Sequence, residues 1–219
     1  MKRLLRPRIV CAVAICLGLI VNQSAFAAPV PLSDLLADDA EITSGDKLFT
    51  DFEYNATEDM PAADAVNVIP IMDADGNYGV RFQGGFVDLP GGSPSDALIT
   101  FMVTVTDPAR SIIGANLAAN VVAPTGGLGS VAESFLPDIT DPDDVLYVAS
   151  DTSLADSVTF MNPQKSFMVQ KNILLTATPD GGHVTMSFVD QTFAQIPEPT
   201  SFALLATSIL GFGMIRRRS

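Results

Sequence analysis

The chain has no tryptophan, one histidine (His183) and two cysteines, Cys11 and Cys16, in 219 residues. Both cysteines lie in an apolar stretch at residues 9–21, so the rest of the chain has no residue for a disulfide, a thiolate metal site or a cysteine nucleophile. A single imidazole without cysteine does not complete the usual zinc ligand sets. A Ser-His-Asp triad would have to recruit His183, and no Gly-x-Ser-x-Gly elbow accompanies it. Phenolic rings are also scarce: Tyr54, Tyr78 and Tyr147 are the only tyrosines. With no indole, the stacking platforms on which sugar sites commonly rely are nearly absent.

Positive charge is the other scarcity. Of 12 Lys and Arg, four fall in the first eight residues and three are Arg216, Arg217 and Arg218. The five in between are Lys47, Arg81, Arg110, Lys165 and Lys171. All 25 acidic residues lie between Asp34 and Glu198, which leaves the body near −20 against −13 for the whole chain. Such a body has no clustered cations to replace counterions on a polyanion, which excludes nucleic-acid binding, and none to draw it to anionic lipid.

Both basic ends read as addresses. Lys2, Arg3, Arg6 and Arg8 precede the apolar residues 9–21, and Ala25 and Ala27 supply the small residues a signal peptidase accepts. The expected cut falls between Ala27 and Ala28, making residues 1–27 a signal peptide; the apolar run is too short for a retained membrane span. At the other end, Pro197, Glu198 and Pro199 are followed by residues 200–215 without a charge and then by the three arginines. The prolines keep the backbone extended, and Thr200 or Ser201 can cap a following helix. The fifteen residues 201–215 at about 1.5 Å each reach about 22 Å. That is short of a hydrocarbon core of roughly 30 Å, so the helix spans only with bilayer thinning and snorkelling arginines. The positive-inside rule keeps the arginines cytoplasmic and the body outside.

In this order of triplet, short apolar helix and arginine cluster, the tail resembles the PEP-CTERM sorting domain of exported Gram-negative proteins. The resemblance covers residues 195–219. It implies recognition at the inner membrane by an exosortase, a membrane transpeptidase-like enzyme, and association with extracellular polysaccharide and biofilm matrix. Less specifically, residues 45–54 resemble a recurrent opening strand of the β-rich ectodomains that carry this tail, which adds nothing about chemistry.

Residues 28–46, interrupted by Pro29 and Pro31, read as a leader, and residues 47–194 as one domain. The dominant period there is two. In residues 97–106, Ile99, Phe101, Val103 and Val105 fall on one face, and the other face is also partly apolar, which predicts a central strand. In residues 183–191 the alternation places Val184, Met186 and Phe188 inward; Leu48, Phe52 and Tyr54 share a face of another strand. Weaker strands are expected at 66–72, 78–82, 111–123, 130–135, 145–149, 157–161 and 166–178. Turn clusters separate them, including Asp75-Gly76-Asn77 and the pairs Gly84-Gly85, Gly91-Gly92, Gly126-Gly127 and Gly181-Gly182. The expected fold is all-β, an antiparallel two-sheet sandwich or jelly roll, flanked by an N-terminal signal helix and a C-terminal transmembrane helix.

Calcium is the one candidate cation, and no other cofactor is expected. Asp73, Asp75 and Asn77 place oxygen-bearing side chains at alternate positions around a tight turn, as hard-cation loops require. The twelfth position is Gly84 rather than Glu, so a helix-loop-helix site fails, and a plain hairpin turn is the competing reading. Asp138, Asp141, Asp143 and Asp144 form a second acidic loop. The expected protein is a non-enzymatic component of the cell surface or polysaccharide matrix. A calcium-assisted carbohydrate-binding module and a glycosidase-like enzyme are the alternatives.

Overall fold

The computed structural model describes residues 28–141 and 145–197. Ala25, Ala27, Asp143, Asp144, Glu198, Pro199, Arg216, Arg217 and Arg218 therefore lie outside the described residues, as do the expected signal and transmembrane segments at 1–27 and 200–215. Among the described residues no helix is long and apolar enough to cross a membrane.

Two six-stranded antiparallel sheets share one core. The strands are β1 (Val30–Pro31), β2 (Ile42–Ser44), β3 (Lys47–Ala56), β4 (Asn67–Met72), β5 (Tyr78–Asp88), β6 (Ser95–Val105), β7 (Arg110–Val122), β8 (Leu128–Leu136), β9 (Leu146–Ala149), β10 (Ala155–Gln164), β11 (Ser166–Thr176) and β12 (Val184–Pro197). One sheet runs β1-β4-β5-β12-β7-β10 and will be called sheet A; the other, sheet B, runs β2-β3-β6-β11-β8-β9. Period-two burial gives each strand one apolar face, and the two apolar faces meet. Phe101 on β6 lies 5.6 Å from Phe82 on β5, and Phe167 on β11 lies 5.8 Å from Phe193 on β12, ring centroid to centroid. Phe160 on β10 meets the Phe167 edge at 5.1 Å, so aromatic rings tie the two sheets together along the core.

β6 is the central strand its alternation predicts, flanked by β3 and β11, with Ile99, Phe101 and Val103 fully buried. Residues 28–46, expected as a leader, belong to the fold. β1 pairs with β4, β2 pairs with β3, and the single helical turn α1 (Leu32–Leu35) buries Leu32 and Leu35.

Two bulges invert the expected facing of side chains. In β3 the register shifts between Thr50 and Glu53, with Asp51 at φ +54°. The extra residue flips the parity, so Phe49 rather than Leu48 faces inward on one side of the bulge while Phe52 does so on the other. In β12 the register to β7 shifts between Met186 and Val189, so Val189 is buried and Phe188 turns outward, opposite to expectation. Asn120 Oδ1 accepts the N–H groups of Ser187 and Phe188 at 3.0 and 2.9 Å, standing in for the interrupted ladder. Gly84 and Gly85, read from sequence as loop punctuation, lie inside β5, where the register to β12 shifts between Met186 and Phe188.

Candidate functional site

The outer face of sheet A carries a groove of about 580 Å³, built from two in-register rows of side chains. Arg81, Asp190, Ala118 and Ala155 pair across β5, β12, β7 and β10; beside them run Gly79, Thr192, Asn116 and Ser157. The small residues keep the floor low. Gly79 is required by close approach, because a Cβ there would sit 1.8 Å from the Gln191 carbonyl oxygen. Ile71 and the exposed Met72 form an apolar rim.

Arg81 is held in a fork by Asp190, with Nε to Oδ1 at 2.6 Å and Nη2 to Oδ2 at 2.8 Å. Its guanidinium carbon also lies 4.0 Å from the centroid of the outward-turned Phe188 ring. The bond to Asp190 raises the Arg81 pKa further, against the opposing effect of burial.

The turn between β4 and β5 forms the wall of the groove, and it holds the three residues singled out for calcium. Asp73 Oδ1 accepts the backbone N–H groups of Asp75 and Asn77 at 3.0 and 2.9 Å. Its Oδ2 accepts from Asn77 Nδ2 at 2.9 Å, Thr192 Oγ1 at 2.7 Å and Asn116 Nδ2 at 3.4 Å. Burial pushes this carboxyl up, but the bonds from Thr192 and from the Asn77 and Asp75 groups outweigh it and hold Asp73 below the usual carboxylate range. The turn is thus a closed Asx-type hairpin whose acid is occupied by protein donors, with Asp75 exposed at its tip. Among the described residues no group of three or more His, Cys, Asp or Glu is placed to hold a metal ion. In the second acidic loop, Asp138 Oδ1 accepts from the Thr140 N–H and hydroxyl.

The groove's remaining acid, Asp156, accepts the N–H groups of Tyr147 and Ser157 at 3.0 and 2.8 Å. Four aspartates against one arginine make the groove acidic, with hydroxyl and amide groups on its floor and no aromatic side chain in its lining. Such a surface suits a neutral, hydroxyl-rich ligand and repels an anionic one. His183 is exposed immediately before β12. Ala28 is exposed just before β1, and Pro197 is the last residue of β12, opposite Arg110.

Two polar clusters inside the sandwich escaped sequence reasoning. Lys171 on β11 and Glu133 on β8 are cross-strand partners on the inner face of sheet B, and both side chains are fully buried. Lys171 Nζ donates to Glu133 Oε2 and, at 2.7 Å, to Oε1 of Gln191 on sheet A. Burial pushes the Glu133 carboxyl up and the Lys171 amine down, each opposed by the attraction of the other. Glu133 Oε1 is buried without a hydrogen-bond partner among the described residues. The fully buried Lys47 on β3 likewise contacts Gln195 of β12, and donates to Asp46 Oδ1 at 2.6 Å. The only available signal was parity, since Lys171 is in phase with Val169 and Ile173.

No protein-family model matches this chain, and no curated protein matches it.

Proposed function

We propose that the chain is an exported, non-enzymatic β-domain protein of the cell surface or extracellular polysaccharide matrix of a Gram-negative bacterium. Signal peptidase acts at one end of the chain and an exosortase at the other. The observation that carries this reading is the order of the tail: Pro197, Glu198 and Pro199, then an uncharged segment, then Arg216, Arg217 and Arg218. The extent of the domain supports it, since β12 runs to Pro197 and so delivers the folded body to the first residue of the triplet. We read the fold as a jelly roll. Strands β5-β12-β7-β10 and β6-β11-β8-β9 have the order of its two four-stranded sheets, with β1 to β4 extending them at one side.

The groove supports the non-enzymatic reading. Glycoside hydrolysis needs one carboxyl held protonated near a second. Here Asp190 is bound by Arg81, Asp156 accepts two N–H groups, Asp73 is bound by donors that hold it below the usual carboxylate range, and Asp75 is exposed at the tip of the turn. Replacing Pro197, Glu198 and Pro199 by alanine tests the sorting claim: full-length protein should accumulate in the inner membrane. Mature protein outside at normal yield would reduce the tail to an anchor.

A second reading, a calcium-assisted carbohydrate-binding module that uses polar rather than aromatic contacts, is supported by the hydroxyl, amide and carboxylate groups along the groove. A glycan array run with and without calcium tests it. Retention of neutral glycans that is lost in Arg81→Ala is the supporting result, and no retention under either condition removes it.

A further inference from the structure

We infer that Lys171 and Gln191 are the two ends of a self-forming isopeptide crosslink joining sheet B to sheet A, with Glu133 as its proton carrier. The three groups such a reaction needs are assembled in one place. The nucleophile, Lys171 Nζ, lies 2.7 Å from Oε1 of the Gln191 amide, and the carbonyl carbon is one bond beyond that oxygen. The Gln191 amide is oriented by its other end, where Nε2 donates to the Asn116 carbonyl at 3.2 Å. The acid, Glu133, contacts the same Nζ through Oε2, and its second oxygen is buried with no hydrogen-bond partner within bonding distance among the described residues.

All three side chains are sealed from water at the centre of the sandwich. Desolvation favours the uncharged forms, an amine with a free lone pair beside a carboxylic acid, which is the reactive protonation state. The acid donates a hydrogen bond to the amide oxygen while Nζ attacks Cδ. The proton released from Nζ passes through Glu133 to Nε2, and the Cδ–Nε2 bond breaks to release ammonia. One C–N bond forms and one breaks; no electrons are transferred and no co-reactant is consumed.

The Lys47, Asp46 and Gln195 cluster is an internal comparison. It has the same lysine and glutamine with Asp46 in the place of Glu133, and Asp46 Oδ2 is likewise buried, but Asp46 and Gln195 line an open cavity of about 660 Å³ and the Asp46 side chain is 19% exposed, so this cluster is not sealed as the other is. We assign the crosslink to the sealed cluster. It would supply to a body without cysteine the covalent tie between sheets that a disulfide supplies elsewhere.

Peptide mapping of the full-length protein after trypsin digestion tests this. The expected result is no cut after Lys171 and a loop-linked peptide beginning at Ser166, lighter by one ammonia, about 17 Da. Glu133→Gln should restore the cut and the full mass. Wild-type peptides cut after Lys171 at unmodified mass would overturn the inference, and so would the same mass loss mapped to Lys47 and Gln195 alone. Should Glu133→Gln fail to fold, the wild-type map decides by itself.

Discussion

Thr192 Oγ1, on β12, donates to Asp73 Oδ2 at 2.7 Å, reaching past β5 to hold the end of the β4–β5 turn over the face of sheet A. This bond explains why Thr192 is buried on an outward-facing position, and it makes Asp73 the anchor of the groove wall.

Removing that anchor leaves the Thr192, Asn77 and backbone donors without their acceptor. Asp73→Ala is expected to cost about 1–3 kcal/mol. Asp75→Ala, at the exposed tip, should change stability by less than about 0.5 kcal/mol. Urea denaturation midpoints of the two variants check the contrast.

Asp73 also sets a pH dependence. Its folded-state pKa lies below the ordinary 3.8, so at low pH the unfolded chain binds the proton more readily than the folded one. The stability it contributes is therefore complete above that ordinary value and is lost as pH falls through the lower folded value. Thermal unfolding followed from pH 6 to pH 2 should show this acid loss in the wild type, and Asp73→Asn should flatten that part of the profile.

Arg81 and Asp190 are directly opposed on β5 and β12 and joined by two hydrogen bonds, but the pair is about a third to a fifth exposed. Solvent screening limits its worth. A double-mutant cycle with Arg81→Ala and Asp190→Ala should give a coupling of about 0.5–1 kcal/mol, shrinking with added salt.

Two glycines of β5 should respond oppositely to alanine. Gly79→Ala drives a methyl group into the Gln191 carbonyl and the Thr192 backbone and should cost at least about 2 kcal/mol. Gly85→Ala meets open space and should be neutral or slightly stabilising. Thermal melts of both variants read out the difference.

The strands were legible where burial alternates without interruption, as from Phe101 to Val105. Parity failed on one side of each bulge, because an inserted residue at Asp51 or Phe188 reverses facing without any compositional mark. The leader assignment missed β1 and β2 because two- and three-residue strands carry no measurable period; their partners, Val68 and Phe49, supply the specificity. The Asp73 turn was legible as a turn through Asp-Gly-Asn. Its docking onto Thr192 was not, since that contact spans 119 positions. The buried lysines stayed hidden because a charged residue in a strand reads as outward, and their partners, Glu133 and Gln191 for Lys171 and Asp46 and Gln195 for Lys47, make an inward position tolerable.

Delivery beyond the inner membrane is tested most directly by N-terminal sequencing of the protein recovered from each cell fraction. The predicted result is a chain beginning at Ala28 and found outside the inner membrane. A chain that retains residues 1–27 and stays in the cytoplasm would contradict it.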